Sequence, residues 1–362
     1  MPLPSIDPDS YVSQLAEKVS QFKLRFAPFA APEPGIFPSA PEHYRLRAEF
    51  RIWRQGEQLD YAMFDPDNPR QPVMVEHFPM AAESICELMP RLMKHLRDSQ
   101  TLCGGLFQVD FLATLSGEQM VTLVYHRQLG IGWELAARDL ASALNVQVIG
   151  RSRGQKVVLD RDWLLEEIEL NGRRLRYQQI EGGFTQPNGG VNRQMLGWAC
   201  AQAATLGGDL LELYCGNGNF TVALAPLFER VLATEVSKSS VRAAEYNLGA
   251  NGIDNVALVR ASSAEISDVL AGREVLKRMK DIDLGRYRFS TLFVDPPRSG
   301  LDAATLELAA GFENILYISC NPQTLQENVA VLQAMHKVSA AAVFDQFPYT
   351  QHLECGLLLT RR

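Results

Sequence analysis

The most reactive group in the sequence is the thiol of Cys320, in Tyr317-Ile-Ser-Cys-Asn-Pro322, where an apolar strand-like run gives way to a helical pattern. A sulfur at the positive end of a helix is favoured as thiolate, the form that attacks carbon in covalent catalysis. The other five cysteines are poorer candidates. Cys215 sits inside a Gly-rich turn, and Cys355 opens the apolar run Cys355-Gly-Leu-Leu-Leu359, whose low polarity keeps a thiol protonated. Cys86 and Cys200 fall among apolar residues on helical patterns, and Cys103 adjoins Gly104-Gly105 with no evident base nearby. No C-x-x-C pair and no His/Asp/Glu cluster at ligand spacing occurs, so neither a disulfide framework nor a metal or iron–sulfur site is expected.

A second constellation binds rather than reacts. In Tyr214-Cys-Gly-Asn-Gly-Asn-Phe220 the glycines Gly216 and Gly218 let a ligand approach the backbone, and Glu235 ends the next strand 17 residues after Gly218. An acid there is placed to bond both ribose hydroxyls. The third glycine of a dinucleotide fingerprint is replaced by Thr221, which disfavours NAD and suits a single nucleoside without a pyrophosphate, such as S-adenosylmethionine. In Asp295-Pro-Pro-Arg-Ser299 the paired prolines stiffen the backbone after another strand and hold Asp295 in the same cleft.

These groups need a scaffold that brings strand ends together. From about residue 190, apolar strands at 209–214, 231–236, 256–261, 291–297 and 314–320 alternate with helical patterns at 237–249 and 322–334. That alternation predicts an α/β domain with a doubly wound, mostly parallel, Rossmann-like sheet and its ligand at the carboxyl ends of the strands.

The chain before it reads differently, as an α+β domain. Residues 27–41 hold five prolines and read as an extended loop. Strand-like runs follow at 44–54, 59–64, 106–115, 119–126, 145–150 and 156–160, with Ser116-Gly117 as a hairpin turn. Amphipathic helices are predicted around Ile85–Leu96 and Trp133–Leu144. In the first strand the odd positions carry Arg45, Arg47, Arg51 and Trp53, three guanidiniums and an indole that can grip phosphates and stack on a base. A merely solvated strand face is the competing reading. His126, at a strand end, is placed for a similar contact; His77 and His95 read as structural or surface residues.

At 362 residues the chain has length for two domains, expected at 1–178 and 179–362. A net charge of −7 argues against coating nucleic acid by bulk electrostatics, though not against a local basic face. No apolar run is long enough to span a bilayer and the start lacks a leader pattern, so a cytoplasmic location is expected, with no membrane association and no obligatory protein partner evident.

Six segments together resemble the bacterial tRNA (uracil-5-)-methyltransferases over nearly the whole chain. They are Phe184-Thr-Gln-Pro-Asn188, Leu211 to Phe220, Ala233-Thr-Glu235, Phe293-Val-Asp-Pro-Pro-Arg-Ser-Gly300, Tyr317 to Pro322, and Phe347-Pro-Tyr-Thr-Gln-His-Leu-Glu354. The resemblance implies a S-adenosylmethionine-dependent methyltransferase domain behind an RNA-binding domain. It makes Cys320 the nucleophile and Glu354 the base, with cofactor contacts from Gln186, Tyr214, Asn219, Glu235 and Asp295. By a looser match it places the Arg51 strand and Phe107 on the tRNA T-arm. The implied reaction is methylation of uridine C5 in the T-loop, position 54 by tRNA convention, and of the equivalent uridine of tmRNA, through a covalent adduct at C6.

Three alternatives remain at this stage. A related rRNA uridine methyltransferase usually carries a Cys-rich cluster motif and an added N-terminal barrel, neither of which is seen here. Amino-group methylation shares the Asp-Pro-Pro signature but needs no cysteine. An RNA-folding clamp would make the chemistry secondary. If His352 and Glu354 share a strand, period two puts both on one face, where the imidazole could orient the reacting groups.

Overall fold

The computed structural model describes residues 6–362 apart from Glu57, Pro66 and Asp67, so the opening residues that argued against a leader lie partly outside it. The chain forms two compact units that interleave in sequence. The first comprises chiefly Ala40–Glu167 and Gln179–Gly189; the second takes Ser10–Ser39, Ile168–Gln178 and Gly190–Arg362. A single cut at 178/179 does not describe this division, because it falls inside the strand Arg173–Ile180 and because residues 10–39 belong to the second unit. The cause is an amphipathic helix, Tyr11–Phe26, whose Val19, Phe22 and Phe26 are buried in the second unit's core with Leu325 and Val329.

In the first unit a seven-stranded sheet has the spatial order 68–74, 58–65, 47–55, 106–113, 119–125, 147–152, 155–158. All its pairs are antiparallel except 119–125 with 147–152, which are parallel and joined by the helix Ile131–Leu144. The expected hairpin at Ser116-Gly117 is present, with Thr114 N–H donating to Glu118 O and Gly117 at φ +95°. Helix Glu83–Asp98 contributes Ile85, Leu88, Met89, Leu92, Met93 and Leu96 to a core with Phe50, Val109 and Phe111, so one sheet face is covered. Burial of this stripe explains its three-and-four spacing.

A two-stranded ribbon, Trp163–Leu170 with Arg173–Ile180, was absent from the sequence reading. Its signal is nonetheless present: Asn171 and Gly172, both at positive φ (+51° and +74°), form the tight hairpin turn that an Asn-Gly pair favours.

The second unit's eight-stranded sheet is labelled here β1 Gly35–Phe37, β2 Asp209–Leu213, β3 Val231–Thr234, β4 Val256–Val259, β5 Phe289–Val294, β6 Asn314–Ser319, β7 His336–Phe344 and β8 Glu354–Arg361. The order across the sheet is β1-β7-β8-β6-β5-β2-β3-β4. Strands β2 to β6 are mutually parallel and β8 runs antiparallel between β6 and β7, a doubly wound sheet with one reversed interior strand. Strand β1 corrects the expectation of a plain loop: its three residues are the proline-free part of the 27–41 segment and pair with β7 at the sheet edge. The strand order reverses between β2 and β5, and at such a switch point a crevice opens beyond the carboxyl ends.

Candidate active site

The Gly-rich turn leaves β2 in a left-handed conformation at three of five positions, Tyr214 at φ +61°, Gly216 at +57° and Gly218 at +81°. Glycine adopts this at no steric cost, whereas Tyr214 is held there against its preference. A Cβ on Gly216 would meet nothing within 4 Å, so the backbone of the turn faces open space. Glu235, just past β3, accepts from Gly216 N–H at 3.1 Å and Ser237 N–H at 2.7 Å. One backbone bond to each oxygen fixes the carboxylate while leaving lone pairs for two further donors. The turn, the open space above Gly216 and this acid fit a nucleoside ribose.

Two of the expected cofactor residues are engaged within the protein. Asn219 exchanges both amide bonds with Asn192 (2.9 and 3.0 Å), and its carbonyl accepts from Tyr177 OH. Tyr214 OH bonds Ser263 Oγ at 2.8 Å. Both therefore shape the crevice through their fixed positions. Gln186 lies in the first unit, in the segment where Leu46 N–H donates to Pro187 O.

Sheet register brings the two expected catalytic residues to one end of the sheet. Ser319 on β6 pairs with Cys355 on β8, so Cys320, which follows Ser319, and Glu354, which precedes Cys355, flank the same end of this ladder. Asp295 follows Val294, whose partner on β6 is Tyr317. Two donors clamp the loops bearing these residues: Asn321 Nδ2 and Thr324 Oγ1 both bond Arg298 O, at 2.9 and 3.2 Å.

The electrostatics correct one expectation. Cys320 lies two residues before helix Pro322–Leu332, whose N-cap is Asn321, yet its thiol is pushed up to about 11. Burial is the main cause, followed by the charges of Glu354 and Asp295, with Arg298 opposing them. Glu354, 4% exposed, is held well above the usual carboxylate range by burial and Asp295. Burial likewise raises Asp295 to about 7 and Glu212, 1% exposed on β2, to about 8. Acidic groups crowd a low-dielectric crevice in which few can ionise together. A cationic ligand would relieve that penalty.

The other thiols behave as expected of packing groups. Burial raises Cys200 to about 11 and holds Cys215 and Cys355 well above the ordinary thiol range. His352 is not on β8, which begins at Glu354; it lies in the preceding loop, its N–H donating to Thr350 Oγ1 and its ring packing on Phe347. Burial and then the cations Arg298 and Lys18 lower its pKa.

Sequence reading missed Glu212, although a carboxylate within an otherwise apolar buried strand was a visible signal. It also missed the support behind the Glu354 loop. Lys18 and Asp345 form a buried ion pair at 2.7 Å, Lys18 also donates to Phe347 O, and Tyr349 N–H donates to Gln14 Oε1.

On the first unit, the three arginines do not form one solvated row. Arg45 precedes the strand, bridges to Ala81 and Asn188, and donates from Nε to Arg47 O. Arg47 donates to Gly183 O at 2.7 Å. Arg51 lies over the Phe107 ring at 4.0 Å, and Phe107 packs on His126 with centroids 4.1 Å apart. A register shift between Leu106 and Gln108 accompanies this stack.

A doubly wound sheet with a Gly turn, a ribose-placed acid and a thiol at the end of β6 defines a nucleoside-cofactor-dependent methyltransferase class. The sequence matches the family described as tRNA (Uracil-5-)-methyltransferase over residues 10–362, and the chain belongs to that family. It is 72% identical over 362 residues to a tRNA/tmRNA (uracil-C(5))-methyltransferase of Aromatoleum aromaticum, covering 100% of this chain and 98% of that one. A protein of the same description from Dechloromonas aromatica is 69% identical, with 100% of each chain covered. In fold it is similar to the Pyrococcus abyssi tRNA (uracil-54, C5)-methyltransferase solved with S-adenosyl-L-homocysteine, at TM-score 0.73 and 20% identity, covering 97% of this chain and 83% of that one. Among the described residues no helix is long and apolar enough to cross a membrane, and no group of three or more ligating side chains is arranged for a metal.

Proposed function

We propose that this protein methylates C5 of the T-loop uridine of tRNA, and the equivalent uridine of tmRNA, by covalent catalysis at Cys320. The observation that carries the reading is the register that brings Cys320 and Glu354 to the same end of the β6–β8 ladder, where the charge of one acts on the other. S-adenosylmethionine, held by the Gly216–Gly218 turn and Glu235, supplies an electrophilic methyl group.

C5 of uracil is too electron-poor to attack a methyl group unaided. Cys320 releases its proton to solvent and its thiolate adds to C6, the C5–C6 π electrons passing to O4 to leave an enolate with nucleophilic C5. After methylation, Glu354 takes the C5 proton, the C6–S bond breaks and the sulfur leaves as thiolate. Burial raises both groups above their ordinary ranges, and Arg298 is the cation that opposes the shift and favours their ionised forms. The target base must leave its stack to reach a crevice at strand ends, at a cost of a few kcal/mol. We assign T-arm contact to the Arg51–Phe107–His126 stack, with Arg45 and Arg47 supporting that face from within.

The test is tritium release from C5-labelled uracil in a T-arm hairpin with S-adenosylmethionine. Wild type should release tritium and Cys320→Ala should not. Undiminished release by Cys320→Ala would defeat the mechanism.

A further inference from the structure

The first unit's sheet carries, away from its helix-covered core, a cavity of about 340 Å³ bordered by Arg47, Glu49, Asp110, Thr122, Arg151 and Glu181. Glu49, Asp110 and Thr122 form one cross-strand row, since Glu49 pairs with Asp110 and Asp110 with Thr122. Two carboxylates directly opposite on neighbouring strands repel and destabilise a sheet. The fold gains nothing from that pair, so it points to a ligand that donates hydrogen bonds.

The remaining charges are already placed. Glu181 accepts from Arg151 Nε at 2.7 Å and Nη2 at 2.5 Å, with Lys156 at 3.1 Å, so Arg151 and Glu181 form a neutralised wall. Gln108 donates to Asp110 Oδ1 at 2.6 Å and fixes that carboxylate. Arg47 is anchored through one Nη on Gly183 O and has further N–H groups beside the acids. Burial, with help from Glu49 and Glu181, raises the Asp110 carboxyl to about 6, so it is still mostly ionised at neutral pH and acts as an acceptor. The three carboxylates against two guanidiniums disfavour a phosphate, and among the described residues no ligand cluster for a metal is formed.

Two positions along the same strands is the row Arg51 with Gln108, and Arg51 belongs to the Phe107–His126 stack. Two residues along a strand span about 6.6 Å, so a base in the cavity is a near neighbour of a base on that stack. We propose that this cavity is a nucleobase pocket that takes a guanine of the RNA substrate, Asp110 accepting from its N1–H and exocyclic amine and Arg47 donating to O6. A carboxylate beside a guanidinium complements that edge, whereas adenine and uracil offer no pair of adjacent donors. The pocket rests on the RNA-substrate reading given above.

The test replaces each loop guanosine of a T-arm hairpin singly with inosine, which lacks the exocyclic amine, and measures Kd for wild type, Asp110→Asn and Glu49→Gln. One replacement should weaken wild-type binding tenfold or more and cost Asp110→Asn nothing further. Glu49 is exposed, so Glu49→Gln retains the fold and should show a smaller loss of discrimination at that same position. No inosine effect in wild type, or equal effects in wild type and Asp110→Asn at every position, would overturn the pocket. Wild-type methylation of the unmodified hairpin is scored separately: its absence defeats the substrate reading, while its presence without inosine coupling defeats the pocket alone.

Discussion

Cys320 and Glu354 flank the same end of the β6–β8 ladder, next in sequence to its last antiparallel pair, Ser319 with Cys355. After burial, the charge of Glu354 is the largest cause opposing ionisation of the Cys320 thiol. The proposed nucleophile and base are thus coupled through two neighbouring strands.

Removal of the base should separate the two halves of the reaction. Glu354→Gln keeps the shape of the side chain and removes its basicity, so the adduct forms and is methylated but cannot eliminate. A protein–RNA species resistant to denaturing electrophoresis should accumulate with the T-arm hairpin, while turnover falls by roughly 10²–10⁴-fold. Free methylated RNA at wild-type rate would show that another group removes the proton.

Activity should rise with pH. Burial pushes the thiol up to about 11 and raises the Glu354 carboxyl above its usual range, and rising pH favours the ionised form that each proposed role requires. Single-turnover kcat/KM on the hairpin is expected to increase steadily from about pH 6.5 to 9 as the fraction of competent enzyme grows. A profile that is flat across this interval would contradict the ionisation assignment.

Stability of the ligand-free protein should move the other way. Glu212 has its folded pKa raised from 4.5 to about 8, so the folded state binds more protons than the unfolded state between those values. Its contribution is fully present below about pH 4.5 and is lost as pH rises through 8, at about 1.4 kcal/mol per pH unit. Urea denaturation at a series of pH values should show a shallower decline for Glu212→Gln, whose side chain stays neutral.

Glu235→Ala should raise the KM and Kd for S-adenosylmethionine by about 10–100-fold, since charged hydrogen bonds to the ribose are worth about 1.5–3 kcal/mol. The two backbone anchors of the turn go with them. Isothermal titration with S-adenosylhomocysteine reads the loss directly; unchanged affinity would remove Glu235 from the site.

Lys18→Met should destabilise the fold by about 3–5 kcal/mol, because it leaves Asp345, 0% exposed, as an unpaired buried charge. Lys18→Met with Asp345→Leu should recover much of that loss in chemical denaturation. If the single variant is as stable as wild type, the ion pair does not hold the segment preceding Glu354.

The sequence by itself determined the chemistry-bearing segments and the class of the second unit. Alternating buried strands and helices admit few packings, and short motifs such as Tyr214–Phe220 and Ser319–Pro322 fold by local geometry. The Asn171-Gly172 hairpin was missed although its turn pair was visible in the sequence. Tertiary structure decided what depends on distant partners. The Tyr11–Phe26 stripe shows that a helix needs a cover but not which core supplies it. The thiol of Cys320 follows helix-end logic until Glu354 and Asp295 surround it, and the alternating arginines around residue 47 look alike until Phe107 and Gly183 give each a different partner. Local propensities act within a few residues, whereas desolvation and charge coupling act through space and arise only once the chain has folded.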